Sequence, residues 1–292
     1  MSEITSTAKA LLDSSKRLAD AGHDEARLEA EVLLAHALQS SRARLYASLS
    51  APLSSSQLEA FHALVERHLA GEPVAYIVGK REFYGLELRV DPRALIPRPE
   101  TEQLVEKTAQ VASRISHLPL TIADVGTGSG AVAISLAHAL PSARIYATDF
   151  SHAAIDLAYT NCKAHGLLGR IQLLIGDLLD PVPEPVAIVV ANLPYVASHA
   201  LAQLPPEIRC FEPRAALDGG EDGLHVYRRL LEQVPEKTLP GGYVLMEIGD
   251  GQGPAMVDAI SDAIPGASVA IEKDHAGLDR IVTVELVAES QR

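Results

Sequence analysis

The stretch from Leu120 to Leu140 constrains the fold more than any other part of this 292-residue chain. An apolar run, Leu120-Thr121-Ile122-Ala123-Asp124-Val125, reads as a buried strand, and Gly126-Thr127-Gly128-Ser129-Gly130 follows it directly. Ala131 to Leu140 then carries helical apolar spacing. Strand, glycine loop and helix in that order make a nucleotide-binding βα turn. Glycines permit the tight turn and let a ligand come close to the backbone. A second strand, Arg144 to Thr148, ends in Asp149, nineteen residues after Gly130, where an acid can accept hydrogen bonds from two ribose hydroxyls. Gly126, Gly128 and Ala131 also fit the dinucleotide pattern G-x-G-x-x-G/A. A nicotinamide-linked dehydrogenase and a non-catalytic ligand-binding module therefore both stay open at this point.

Two more strands extend the pattern. Ile171 to Ile175 leads into Gly176-Asp177-Leu178, where Asp177 either caps a turn or faces a ligand. Val186 to Ala191 is apolar throughout, as expected of a parallel strand covered on both faces. It delivers Asn192-Leu193-Pro194-Tyr195 at its carboxyl end, where open α/β sheets build their sites. Asn192 offers a side-chain oxygen and Leu193 a carbonyl as acceptors for an NH₂ group. Pro194 restricts the backbone, and Tyr195 offers a flat face to a planar group. Taken alone, the four residues also suit a plain strand-to-loop turn. The glycine loop and strand-end acids upstream favour a site.

Glycine loop, Asp149, Asp177 and the Asn-Leu-Pro-Tyr tetrapeptide, in this order, resemble an S-adenosylmethionine-dependent amino-group methyltransferase. Further segments narrow the resemblance. Glu72 to Gly79, Arg81-Glu82-Phe83-Tyr84-Gly85-Leu86 and Leu95-Ile96-Pro97-Arg98-Pro99-Glu100-Thr101-Glu102 look like the signature of the release factor glutamine methyltransferases. Phe211 to Leu217 and Gly241 to Gly249 match it too, so the likeness runs from about Asp24 to about Val284. It implies S-adenosyl-L-methionine as cofactor, bound by Gly126, Thr127, Gly128, Ser129, Gly130, Asp149, Asp177, Leu178 and Asn192. Asp177 would lie near the adenine amino group and Leu178 against its face. It implies methylation of the glutamine in the Gly-Gly-Gln loop of peptide chain release factors, with Asn192, Leu193, Pro194 and Tyr195 as the catalytic group. The family places the Ile96 to Glu102 loop over the cofactor, where Arg98 and Glu100 either contact it or pin the loop. Its usual tetrapeptide has proline where this chain has Leu193, and the backbone carbonyl it uses is retained. The same tetrapeptide chemistry serves glutamine methylation of a ribosomal protein and adenine amino-methylation in nucleic acid, which are the alternative substrates.

Composition trims these readings. The net charge is −13 and no Lys/Arg-rich run occurs, which disfavours direct grip on a phosphate backbone. Two cysteines, Cys162 and Cys210, lack metal-type spacing, so neither a disulfide framework nor a metal site is expected from them. Neither a signal peptide nor a membrane-length apolar run is present, and a soluble cytoplasmic protein is the expectation. His36, His62 and His68 fall in helical segments and read as partly exposed surface residues.

The expected architecture is α/β, a doubly wound seven-stranded methyltransferase sheet with its last strand antiparallel, plus a small N-terminal helical domain. The boundaries read as 1–75 for the helical bundle, 76–100 for a hairpin and linker, and 101–292 for the catalytic domain. The family uses the bundle to engage its protein partner. Within it, Asp24 should cap a helix from Glu25 to Gln39 with Leu28, Val32 and Leu33 inward. Ser54 to Ser56 should cap another bearing Leu58, Phe61, Val65 and Leu69, ended by Gly71. Phe83 to Val90 should form a hairpin and Thr101 to Val111 a helix; Val196 to Ala216 reads as an irregular substrate-facing loop. A helix from Leu224 to about Gln233, a strand from Tyr243 to Ile248, a helix from about Pro254 to Ala263 and strands Ser268–Ile271 and Arg280–Leu286 should close the fold.

Overall fold

Helices form wherever the N-terminal sequence repeats its apolar residues at helical spacing. In the computed structural model, which describes residues 5–115 and 120–287, they are α1 (Thr7–Asp20), α2 (Ala26–Ala37), α3 (Arg42–Ala47), α4 (Ser55–Leu69) and α5 (Val74–Val78). They belong to a unit that ends at Lys80 and takes in Pro205–Phe211 from far along the chain. Leu11, Leu18, Leu33, Leu34, Phe61 and Val65 are its fully buried centre. Ser54 closes a capping box on α4: its hydroxyl accepts from the Gln57 amide at 3.2 Å, and its own amide donates to Gln57 Oε1 at 2.9 Å.

Three expectations fail in this unit. Glu25, not Asp24, stands at the N-cap of α2, and no side chain caps it. Residues 21–25 form turns that carry Asp24 away from the helix start, and at the other end Gln39 takes a left-handed φ of 48°, so the helix stops at Ala37. The buried stripe of α2 is Ala26, Ala30, Leu33 and Leu34, while Leu28 and Val32 are only half-buried. His68 is 2% exposed, unlike the exposed His36 and His62. It continues the inward stripe of α4, one turn beyond Phe61 and Val65, and helical spacing accounts for its burial.

The second unit runs from Arg81 to Leu204 and resumes at Glu212. Near its start is a hairpin of β1 (Lys80–Phe83), whose first residue is the last of the helical unit, and β2 (Leu86–Arg89). Tyr84 and Gly85 at its turn both have positive φ, 52° and 72°, the geometry that matches the right-handed twist of paired strands. A single 3₁₀ turn, Pro99–Thr101, leads into α6 (Glu102–Ala112). Alternation follows: β3 (Thr121–Val125), α7 (Ala131–Ala139), β4 (Arg144–Asp149), α8 (His152–Ala164), β5 (Ile171–Ile175) and β6 (Val186–Ala191). The helical unit's segment contributes α9 (Pro206–Phe211), within the stretch expected to be irregular. Then come α10 (His225–Lys237), β7 (Thr238–Glu247), α11 (Gly253–Ala263), β8 (Ser268–Lys273) and β9 (Asp279–Glu285).

The sheet order is β5-β4-β3-β6-β7-β9-β8. All pairs from β5 to β7 are parallel, and β9 runs antiparallel to both its neighbours, as expected. Helices α6 and α7 pack on one face over Ile122, Ile145 and Val190; α10 and α11 pack on the other over Val125, Val189 and Met246. The sheet is doubly wound, and β3 and β6 lie side by side at its middle. Their carboxyl ends meet where the strand order reverses, the position at which such sheets bind ligands. Strand β7 starts five residues earlier than expected, and its register with β6 shifts between Val186 and Ile188.

Candidate active site

A cavity of about 600 Å³ opens over those strand ends. Gly126, Thr127, Gly128, Ser129, Asp149, Asp177, Leu178, Asn192, Leu193 and Pro194 line it. Gly130 and Tyr195 do not. Gly130 instead starts α7 in the left-handed region (φ 83°), packed against Ala158 of α8. The glycine loop and the tetrapeptide touch. A Cβ on Gly126 would lie 2.8 Å from Leu193 Cδ2, and the residue's φ of 74° already disfavours any side chain.

Asn192 is oriented from behind. Its Nδ2 donates to Thr101 Oγ1 at 3.0 Å and to Glu247 Oε2 at 3.1 Å, while Thr101 Oγ1 donates to the same carboxylate oxygen at 2.6 Å. A carboxylate only accepts, so this network fixes which way the Asn192 amide points. Its Oδ1 receives no hydrogen bond from any described residue. Glu247, at the end of β7, is 2% exposed, and burial raises its carboxyl pKa above the ordinary range against the opposing bond from Thr101 and the charge of Arg280.

Leu193 is clamped by its backbone. Its amide donates to the Tyr227 hydroxyl at 3.1 Å, and that hydroxyl donates in a short bond to the Glu247 carbonyl. Tyr227, fully buried on α10, thereby ties the ends of β6 and β7 together. With its single proton committed there, the Leu193 carbonyl, 3.4 Å from the hydroxyl, keeps its acceptor capacity. A proline at this position could not make the amide bond to Tyr227. Tyr195 turns toward the sheet: its hydroxyl is 3.4 Å from Glu247 Oε1, burial pushes its pKa up to about 12, and its carbonyl accepts from Gln252 Nε2 at 3.0 Å.

On the opposite wall, Asp149 Oδ2 accepts from the Gly128 amide at 3.0 Å and Oδ1 from the Ser151 amide at 2.9 Å. Each oxygen retains a lone pair for a ligand hydroxyl. Burial raises the pKa of this acid too. Asp177 is ion-paired with Arg229 rather than capping a turn, and Leu178 beside it holds a left-handed φ of 47°. Phe150, 63% exposed, adds an aromatic face to the lining next to Asp149. Arg98 pairs with buried Glu212, whose second oxygen accepts from the Ile96 amide at 3.2 Å. The Arg98 guanidinium therefore pins its loop.

Asp124 is the most strongly perturbed acid of the site. Burial pushes it up to about 6, opposed by bonds from the Thr127 hydroxyl (2.7 Å) and the Ala133 amide (3.1 Å). A folded pKa above the unfolded value means the fold prefers the protonated acid. Stability is then lost as pH rises from about 4 through 6. A rise from the ordinary value near 4 to about 6 corresponds to roughly 3 kcal/mol, as an order of magnitude. Denaturant unfolding of wild type and Asp124→Asn across this window should show the wild type losing about that much relative to the variant. Parallel curves would dismiss the assignment.

Glu247, Tyr227, Glu212 and Gln252 were not singled out by sequence reasoning, nor was Asn161, whose Nδ2 holds the Ser129 carbonyl at 2.8 Å. Glu247 carried a signal, an acid closing an apolar strand, as Asp149 closes β4. Glu212 falls within the matched segment Phe211 to Leu217, and the others lie on helices and loops, where nothing local marks them.

Sheet order, antiparallel β9, glycine loop and strand-end acid together define a methyltransferase. Residues 9–79 match the family described as PrmC N-terminal domain, and residues 104–205 match the methyltransferase small domain. The release factor glutamine methyltransferase of Moorella thermoacetica is 43% identical over 273 residues, 93% of this chain and 95% of the relative. That of Cereibacter sphaeroides is 41% identical over 96% of this chain and 99% of its own length. A methyltransferase structure from Pyrococcus furiosus shares the fold, with a TM-score of 0.51 and 18% identity over 76% of this chain and 97% of its own. This chain belongs to the release factor glutamine methyltransferase family.

Proposed function

We propose that the chain transfers a methyl group from S-adenosyl-L-methionine to the side-chain amide nitrogen of the glutamine in the Gly-Gly-Gln loop of peptide chain release factors. One observation carries this reading. Asn192 Oδ1 and the Leu193 carbonyl are two acceptors left open at the tip of β6, beside a glycine loop and a ribose-type acid.

The residues present fit the cofactor. The cavity volume lies within the range of about 300–1,000 Å³ usual for small-molecule sites. Asp149 has acceptor capacity for ribose hydroxyls, the glycine loop admits close approach to the backbone, and Phe150 and Leu178 give apolar faces to a purine. When bound, S-adenosyl-L-methionine supplies an electrophilic methyl carbon on a sulfonium, which accepts a nitrogen lone pair and leaves a neutral thioether behind.

The chain's part is to make a poor nucleophile competent. An amide lone pair is delocalised into its carbonyl. Accepting one N–H each, Asn192 Oδ1 and Leu193 O hold both hydrogens and aim the lone pair out of the amide plane. Pre-orientation of this kind removes several kcal/mol from a barrier, up to about 7–11 in favourable cases. A strong base is unnecessary, because the nitrogen becomes acidic as it gains the methyl group, and its proton can pass to an acceptor already bonded to it. Tyr195, facing Glu247, supports this arrangement from behind rather than stacking on the amide. The helical unit, matched by the PrmC N-terminal domain family, is the part we assign to gripping the release factor.

Two experiments test the reading. Mass spectrometry of a purified release factor after incubation should place one methyl on the Gly-Gly-Gln glutamine. Label appearing in nucleic acid or a ribosomal protein instead would displace the substrate. Asp149→Ala should weaken cofactor binding at least 10-fold, measured by calorimetry, with loss of a charged-acceptor bond worth about 1.5–3 kcal/mol. Unchanged affinity would remove the ribose assignment.

A further inference from the structure

The helical unit holds a cluster that methyl transfer does not use. His23 lies between α1 and α2, Glu29 in the first turn of α2, and His68 in the last turn of α4. His23 Nδ1 and His68 Nε2 each stand 3.2 Å from the same oxygen, Glu29 Oε2, and the three ligand-type atoms lie within 4.8 Å of one another. The two imidazole rings are 4.3 Å apart, tilted by 54°. Both atoms are buried, and the close approach of His68 Nε2 to Glu29 Oε2 lacks hydrogen-bond geometry. A polar pair held this close on a side chain as buried as His68, without a well-formed hydrogen bond, demands a reason.

We infer that His23, Glu29 and His68 form a binding site for a divalent transition-metal cation of the zinc class. A tetrahedral cation with bonds of about 2.0–2.1 Å sets its ligand atoms about 3.3–3.4 Å apart, close to the two N–O separations found here. Imidazole and carboxylate donors suit such an ion, and a water completes four-coordination. The tautomer is already fixed. His68 Nδ1 lies 2.9 Å from the Glu72 carbonyl, which can only accept, so Nδ1 carries a proton, and in the neutral ring that a cation would bind Nε2 offers its lone pair to the cluster. Arg67 in turn holds the Glu72 carboxylate with two bonds of 2.6 and 2.8 Å. This second layer is what metal-ligating histidines characteristically have. The ion would clasp the α1–α2 connection to the end of α4, a stabilising role inside the helical unit and independent of methyl transfer.

The test uses the tag-free full chain, stripped with chelator, and the metals alone. Titration with Co²⁺ should give the intense visible absorption of four-coordinate cobalt at one equivalent, displaced by Zn²⁺, and Zn²⁺ should raise the melting temperature. His23→Gln and Glu29→Gln, both at the partly exposed side of the cluster, should each weaken Zn²⁺ binding at least 100-fold while their circular dichroism stays that of the wild type. Six-coordinate, weakly absorbing cobalt, no saturable micromolar binding, or affinity unchanged in both variants would overturn the site. His68→Gln extends the series if it folds. Since the readouts are spectroscopic and thermal, they are indifferent to the methyl acceptor.

Discussion

Replacing Asn192 with alanine should lower kcat for methylation of a release factor by about 10²–10³-fold, the range seen when one preorganised hydrogen-bonding group is removed from a reacting centre. Affinity for S-adenosyl-L-methionine should change by less than a few-fold, because the cofactor's ribose is assigned to Asp149 on the other wall. The split arises from where Asn192 sits. Its Nδ2 is spent on Thr101 and Glu247, so Oδ1 is the atom left for the cavity, and that oxygen is the one proposed to accept from the substrate amide. Asn192→Asp is the sharper variant. It keeps shape and an acceptor but replaces the donor to Glu247 with a second carboxylate, so two buried acids would face each other and the variant should be as inactive as alanine at neutral pH. Equal loss of turnover and cofactor affinity in Asn192→Ala would instead make the residue a cofactor ligand.

The second large effect should come from Glu247, which touches neither proposed ligand. Glu247→Ala removes the acceptor shared by Thr101 and Asn192, leaving the buried Thr101 hydroxyl without its partner, a loss of about 1–3 kcal/mol, and Asn192 with one bond of two. With Asn192 held by Thr101 alone, kcat should fall about 100-fold while the KM for cofactor stays within a factor of about three. Glu247→Gln should recover much of this, since an amide oxygen can still accept from both donors. A merely structural role would lower stability without this kcat-specific loss or its rescue. The acid side of the rate profile offers a further check. Burial holds the Glu247 pKa above the usual carboxylate range, so protonation releases Asn192 at a higher pH than an ordinary glutamate would, and activity should decline there. In Glu247→Gln that limb should move to lower pH.

Much of this site was legible from local sequence because parallel strands announce themselves. Val186 to Ala191 is apolar without interruption, and the next residue must stand at a strand end in a fold of this class. The same reasoning located Asp149 and the glycine loop. What local sequence could not give is the layer behind. Glu247, Thr101 and Asn192 come together from sequence positions far apart, and only the pairing of β6 with β7 brings them within bonding distance. Tyr195 illustrates the limit in the other direction. Its ring suits a planar substrate, yet the chain after Pro194 turns it toward Glu247. In the helical unit, the apolar stripe of α4 already contained the burial of His68, since residues 61, 65 and 68 share one helical face. Reading histidine as a surface residue by type obscured that. The start of α2 was missed for a different reason: Asp24 and Glu25 are both acceptable before a helix, and the turns preceding them decide which one stands at the cap.

Two oxygens at the tip of β6 are proposed to grip the incoming carboxamide. A crystal structure of the chain with S-adenosyl-L-homocysteine and a Gly-Gly-Gln peptide measures this directly. The glutamine amide nitrogen should lie within about 3.2 Å of both Asn192 Oδ1 and the Leu193 carbonyl oxygen, a hydrogen-bond distance, and should face the sulfur. A glutamine nitrogen bonded to neither oxygen, or an Asn192 amide whose Oδ1 has turned to Thr101, would contradict it.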